Sequence, residues 1–295
     1  MRVISNFQST KNMNYRHAFH AGNFADVHKH MVLLSVIQRL QLKDTPISVL
    51  DTHAGAGLYD LSADPSQRTS EWRMGIGKVY VETRAPAVIS TLLNAVRALN
   101  ADPHKPPRVY PGSPRLMSAY MRPQDRVQLC ELEPNTLSDL REAMRGLPNV
   151  AIHARDGWEA LGALLPPRDI KRGLVLIDPP FEAPNELQRL ADALMTTHQR
   201  WPQGVLLGWY PIKDRPMVER FLRKLARAEM PDTLVCELCI HAPDNQLRLN
   251  GSGMVIINAP WQLDEILREA SAWLHERLQQ SPDAPWQVSA LGDEV

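Results

Sequence analysis

Four consecutive residues, Asp178-Pro179-Pro180-Phe181, follow the apolar run Leu174-Val175-Leu176-Ile177, which reads as a strand buried on both faces. Two prolines cannot donate to a strand ladder, and together they lock a rigid, extended exit from the sheet. Rigid geometry beside a carboxylate suits one chemistry in particular. The exocyclic amino group of an adenine is a poor nucleophile, because its lone pair is delocalised into the ring. The Asp178 carboxylate and the Pro179 carbonyl oxygen can accept its two hydrogens, favour tetrahedral nitrogen and aim the lone pair at a methyl donor. Phe181 can stack on the extruded base. Such a transfer is an in-line displacement that needs no metal and no covalent enzyme intermediate, so rate comes from alignment and electrostatics. Asp178 accepts the amino proton directly or passes it to water. A strand-terminal aspartate that merely caps the next helix is the bland alternative, and the whole tetrapeptide in this position argues against it.

Ligands of open α/β sheets bind outside the carboxyl ends of the strands, so the other strand ends come next. The first strand ends in Asp51-Thr52-His53-Ala54-Gly55-Ala56-Gly57. Gly55 and Gly57 let the backbone turn sharply and approach a ligand. No Gly-Lys-Ser/Thr follows, so this is not a phosphate loop. The second strand ends in Cys130-Glu131-Leu132-Glu133-Pro134, where a carboxylate can accept both ribose hydroxyls of an adenosine. Alternation puts Glu131 and Glu133 on one face, so spacing does not choose between them. The third strand leads into Asp156-Gly157-Trp158, where Asp156 either caps a helix or accepts a bond from an adenine amino group.

The elements that must position these residues are legible. Strands are expected over 47–53, 126–132, 150–154, 173–178, 204–210, 234–240 and 254–258. Helices are expected over 26–42, 114–121, 135–145, 158–164, 186–201, 216–228 and 262–279. This alternation predicts an α/β fold with one seven-stranded, Rossmann-like, doubly wound parallel sheet. The rhythm breaks at 59–108, too long for an ordinary βα connection, so a small helical insertion with a main helix over 85–100 is expected there. Insertions over the rim of a sheet often handle substrate. The expected organisation is therefore a possible tag or upstream extension over 1–12 before Met13, a domain over 13–280 carrying the insertion, and a tail over 281–295 without a matched motif.

With 295 residues, 22% charged and 44% hydrophobic, the chain has the composition of a soluble globular protein rather than a disordered one. Formal net charge is zero, so no basic excess announces a nucleic-acid partner, although a local patch is enough to bind phosphate. The three cysteines, Cys130, Cys236 and Cys239, fall in strand-like runs and read as buried thiols of a reduced cytosol. On a strand, the odd spacing of Cys236 and Cys239 sends them to opposite faces. No apolar stretch reaches a membrane span and the N-terminus lacks a signal-peptide core, so a cytoplasmic protein is expected.

Several separated motifs together resemble a known family. They are Tyr15-Arg16-His17-Ala18-Phe19-His20-Ala21-Gly22-Asn23, Asp26 with Lys29-His30, and Leu50-Asp51-Thr52-His53-Ala54-Gly55-Ala56-Gly57. Tyr110-Pro111-Gly112-Ser113-Pro114, Glu131-Leu132, Asp156-Gly157, Ile177-Asp178-Pro179-Pro180, Trp209-Tyr210-Pro211 and Ser252-Gly253-Met254 complete the set. Over about Met13 to Trp261 the chain resembles the bacterial 23S ribosomal RNA adenine-N6 methyltransferases of the RlmJ type, a family also described as proteins for using external DNA as a nutrient. That family often carries Tyr at this position; Phe181 keeps the stacking face and loses only the hydroxyl.

The resemblance implies S-adenosyl-L-methionine as cofactor and N6-methylation of a specific adenine in 23S ribosomal RNA, naked or partly assembled, by a monomer. It implies that Lys29 (at the methionine end), His30, His53, Gly55, Gly57, Ser113, Glu131, Asp156 and Gly157 form the cofactor site, with Glu131 preferred over Glu133 for the ribose. Asp178 would accept the proton within the Asp178–Phe181 core, and Tyr15 would touch the nucleic acid with Phe181.

Competing readings remain at this stage. His17, His20, His28 and His30 are too scattered to complete a tetrahedral metal set, so no metal is expected. Arg220, Arg223, Lys224 and Arg227 share one helical face, which a solvated surface explains and a phosphate-tracking stripe would also explain. Trp72 and Arg73 can pack or touch RNA. DNA adenine is the alternative substrate; a non-catalytic nucleic-acid-binding protein for use of external DNA leaves the pocket residues unexplained.

Overall fold

The computed structural model describes residues 17–102 and 104–292; the 1–12 extension, Met13 and Tyr15 lie outside the described residues. The first half runs α1 (Phe24–Gln41), β1 (Ser48–Asp51), β2 (Leu58–Asp60), α2 (Asp64–Thr69), α3 (Ile76–Val79), α4 (Ala87–Arg97), β3 (Val109–Pro111), α5 (Ser113–Tyr120), β4 (Arg126–Glu131) and α6 (Pro134–Ala143). The second half runs β5 (Val150–Ala154), α7 (Gly157–Leu164), β6 (Gly173–Ile177), α8 (Glu186–Arg200), β7 (Val205–Ile212), α9 (Arg215–Ala226), β8 (Leu234–Cys239), β9 (Gly251–Ile257), α10 (Leu263–Leu278) and β10 (Trp286–Ala290).

The main sheet has the order β10-β8-β9-β7-β6-β1-β4-β5. It has eight strands where seven were expected, because β10, from the segment expected as a featureless tail, pairs antiparallel with β8. The expectation of a parallel sheet holds from β5 to β7 and fails beyond. There β9 inserts antiparallel between β7 and β8. The link from β8 to β9 carries no helix, so the chain returns as a hairpin rather than through the crossover a parallel pair needs.

Both faces of the sheet are covered, which is why its strands are near-continuous Val, Ile and Leu. Leu174 and Leu176 of β6 pack into one core with α1, α4, α5 and α10. Val175 and Ile177 pack into the other with α7, α8 and α9. Cys236 and Cys239 divide between the two cores in the same way, and the three cysteines are buried and free. On α9 the apolar residues Val218, Phe221, Leu222 and Leu225 face inward. Of the basic residues opposite, Lys224 pairs with Asp192 at 2.5 Å and Arg223 with Glu219 at 3.8 Å, as on a solvated face. Trp72 is buried against Gly22 and Gly77, which makes it a packing residue. Among the described residues, no helix is long and apolar enough to cross a membrane.

Two features aim chemistry at the carboxyl ends of the strands. Helix α1, capped by Asn23, whose side chain accepts from the Ala25 and Asp26 N–H groups, is buried almost all round and carries Asp26, His28, Lys29 and His30 in its first turns. Residues 61–108 run between β2 and β3, a two-stranded antiparallel ribbon, and α4 within them packs on α1.

Candidate active site

The loop leaving β1 is shaped by Gly55 at φ +64° and Gly57 at φ +78°; a Cβ on Gly55 would lie 2.3 Å from the Tyr59 hydroxyl. The Gly55 N–H donates to Glu131 Oε2 at 3.0 Å, while Glu131 Oε1 accepts from the Leu132 and Glu133 N–H groups at 2.8 and 2.9 Å. Three donors thus fix the carboxylate and leave it acceptor capacity for a diol. Glu133 turns away and caps α6 through the Thr136 N–H. Strand β4 ends at Glu131, so the alternation that placed both glutamates on one face stops there.

Asp156 caps α7, its Oδ1 accepting from the Trp158 N–H at 2.7 Å, so the bland role is realised and the second oxygen can still accept from a ligand. Gly157 lies so close to the β1 exit that a Cβ would sit 2.0 Å from the Thr52 carbonyl oxygen. This contact brings the third and first strand ends together. The donor set around the loop (backbone N–H groups, one oriented carboxylate, one capping aspartate) has the chemistry to hold an adenosine.

Ser113, at the start of α5, donates to Asp51 Oδ2 at 2.6 Å. Burial pushes Asp51 up to about 6, against the hydrogen bond from Ser113. Thr52 Oγ1 gives its one proton to the Leu176 carbonyl at 3.0 Å, so it accepts from His53 Nδ1 at 2.8 Å, leaving His53 Nε2 unprotonated. His30 Nδ1 meets the Tyr110 hydroxyl at 2.8 Å. Burial lowers His28 and His30 to about 3 and His53 to about 4.

These three imidazoles are neutral when folded, and the unfolded chain takes up their protons below pH 6.5. Stability is therefore present above that pH and is lost as pH falls towards 4. Asp51 acts oppositely, contributing stability below about pH 4 that is lost as pH rises through 6; Glu131, Glu186 and His20, also raised, act with it, whereas His153, His198 and His241, also lowered, act with the three imidazoles. The melting temperature is expected to drop between pH 7.5 and 5. A value that held or rose over that range would show that the imidazoles are not held neutral.

Asp178 follows β6, and its Oδ2 lies 2.5 Å from Lys29 Nζ, which is 2.9 Å from Asp26 Oδ1. Burial opposes the charge on Lys29, but Asp178 and Asp26 outweigh it and hold the ammonium well above its usual range. Likewise burial opposes ionised Asp26, and His17 and Lys29 outweigh it and hold that carboxyl well below its usual range. Asp178 Oδ1 has no hydrogen-bond partner among the described residues. Phe181 stands at φ +54°, a region non-glycine residues rarely adopt, and its ring meets Trp209 at 5.4 Å and 73°.

These side chains border a cavity of about 730 Å³, reached also by Asn23, Glu71 and Met74, within the range of small-molecule sites. The structure thus brings together Lys29, Asp178, Pro180 and Phe181 at this cavity. The cofactor residues expected from the resemblance cluster at the ends of β1, β4 and β5, with Ser113 tied to Asp51 and His30 to Tyr110. Among the described residues, no group of three or more His, Cys, Asp or Glu is placed to hold a metal ion. Sequence reasoning gave no role to Trp209, although strand alternation puts it on the α1 face with Pro211.

A family model described as ribosomal RNA large subunit methyltransferase D, RlmJ, matches residues 44–291. The chain is 36% identical over 266 residues to the ribosomal RNA large subunit methyltransferase J of Escherichia coli K12, covering 90% of this chain and 94% of that one. It is 35% identical over 282 residues to the protein of the same name from Haemophilus influenzae Rd, covering 96% of this chain and 100% of that one. The crystal structure of protein LPL1258 from Legionella pneumophila superposes with a TM-score of 0.85 at 30% identity, over 93% of this chain and 99% of that one. With a family model over most of its length and relatives that match nearly end to end, the chain belongs to the ribosomal RNA large subunit methyltransferase D, RlmJ, family.

Proposed function

We propose that this enzyme transfers a methyl group from S-adenosyl-L-methionine to N6 of one adenine in 23S ribosomal RNA, naked or partly assembled, acting as a cytoplasmic monomer. The observation that carries the reading is Asp178: a carboxylate at the end of β6, held by Lys29, lining a cavity beside Phe181 and Trp209. Membership of the RlmJ family supports ribosomal RNA as the substrate class.

S-adenosyl-L-methionine supplies an electrophilic sulfonium methyl group. Glu131 is suited to its ribose, Asp156 and Gly157 to its adenine side, and the Gly55–Gly57 loop to close backbone approach. His30, His53 and Ser113 complete the wall, and Lys29 stands between that wall and the substrate cavity. On the substrate side, Phe181 stacks on the extruded adenine. Asp178 Oδ1 and the Pro179 carbonyl accept the two amino hydrogens. Lys29 occupies Oδ2, so it orients the carboxylate, which takes the proton that the nitrogen sheds. The segment Thr69–Met74, over the rim, borders the same cavity and supports a substrate-handling role for the inserted residues.

The test is methyl transfer from radiolabelled S-adenosyl-L-methionine to RNA from cells lacking the gene, with DNA alongside. Label recovered as N6-methyladenine in 23S RNA is the expected result. Label in DNA alone would overturn the substrate, and label in neither, without cofactor binding, would leave a non-catalytic binding protein.

A further inference from the structure

We infer that Trp209 is the second aromatic wall of the target-base site, fixing where the adenine edge stops against Asp178; this rests on the adenine-methylating reading above. Register places it there, since Ile177 of β6 pairs with Gly208 of β7, so Asp178 and Trp209 are the next residues on neighbouring strands. Trp209 lines the same cavity as Asp178 and Phe181, and Lys29 Nζ lies 6.0 Å from its ring centre.

The two aromatic rings stand 73° apart, an L-shaped corner. A base lying flat on Phe181 is therefore steeply inclined to the indole plane, and the inferred pose sets its edge against Trp209. A purine fills such a corner with its amino edge at the carboxylate; a pyrimidine in the same stack falls short of one wall. Phe181 supplies stacking, whereas Trp209 sets depth, and depth decides whether the amino nitrogen is in line for displacement.

The indole is not free to swing. Its Nε1–H donates to Ser252 Oγ at 2.9 Å, and Ser252 Oγ is 2.9 Å from His28 Nδ1. His28 Nε2 lies 3.2 Å from Cys236 Sγ, which lies 3.5 Å from Ser271 Oγ. One direction of donation satisfies every member: indole to serine, serine to imidazole, imidazole to thiol, thiol to serine. All four supporting side chains are buried, so the ring plane is held from behind by a relay that touches no ligand.

The experiment uses the full chain and a short 23S fragment carrying 2-aminopurine or adenine at the target position. Trp209→Ala is expected to lower kcat/KM roughly ten- to hundredfold and to reduce the quenching of bound 2-aminopurine, with cofactor affinity unchanged. Trp209→Phe, which keeps a ring but loses the tether, falls between. Ser252→Ala lowers kcat more than it raises KM, because the wall remains but wanders. Unchanged kcat/KM in Trp209→Ala, or a loss matched by equal loss of cofactor binding in both Trp209 variants, overturns the inference. Wild-type turnover on the adenine fragment is the control for the reading beneath it: its absence would sink that reading, whereas turnover indifferent to Trp209 sinks only the wall.

Discussion

Asp178→Ala is expected to lower methyl transfer roughly 10²- to 10⁴-fold, the range for losing a positioned acceptor and proton sink, while leaving S-adenosyl-L-methionine binding largely intact. The carboxylate is part-exposed in the substrate cavity, with 15% of its side-chain surface accessible. Its loss does not strand Lys29, which retains Asp26 at 2.9 Å, so the fold should tolerate the change. Asp178→Asn is the sharper variant. It keeps the shape and one acceptor oxygen but cannot take up the proton, and that single oxygen cannot serve both the Lys29 ammonium and the substrate amino group. Single-turnover rates at saturating cofactor, with calorimetric titration of the cofactor, separate chemistry from binding. Near-normal turnover in the alanine variant would refute the mechanism.

Glu131→Ala should do the reverse, raising the cofactor Kd roughly tenfold to a thousandfold while turnover at saturating cofactor stays comparatively high. The magnitude is that of losing charge-assisted bonds to the ribose hydroxyls, about 1.5–3 kcal/mol each, from a carboxylate oriented by the N–H groups of Gly55, Leu132 and Glu133. The substitution also removes the Gly55 bond, one of two ties of the β1 loop to β4, and leaves the Ala54 N–H on the Cys130 carbonyl at 2.9 Å. Glu131→Gln retains one acceptor oxygen and should lose less. Isothermal titration of the cofactor decides the matter: an unchanged Kd in the alanine variant would mean that the carboxylate serves only the loop.

The long helices outside the insertion were legible in the sequence to within about two residues, because their apolar periodicity is local, whereas the short α2 and α3 were not foreseen. Helix α10, expected over 262–279, spans Leu263–Leu278. Strand β10 was not: Trp286-Gln287-Val288-Ser289-Ala290 is a short edge strand with proline at 282 and 285 before it, and pairing on one side demands little pattern. The place of β9 between β7 and β8 is set by which strands it meets, not by its own residues. The site divides in the same way. Strand-end motifs announce themselves, so Asp178, Glu131, Asp156 and the glycine loop were recognisable. Partnerships across the chain were not. Lys29 was expected at the cofactor's methionine end, and its Nζ sits between Asp26 and Asp178. The choice between Glu131 and Glu133 needed the strand's last residue to be known.

The tether behind Trp209 has a kinetic meaning. His28 and Ser252 are 224 residues apart in sequence, and closing so long a loop is entropically expensive until the intervening sheet already holds its ends together. The tethered form of the corner is therefore complete only once β9 has paired with β7. It cannot exist on a nascent chain that has not yet delivered β9, and recovery of activity during refolding should lag behind recovery of helix.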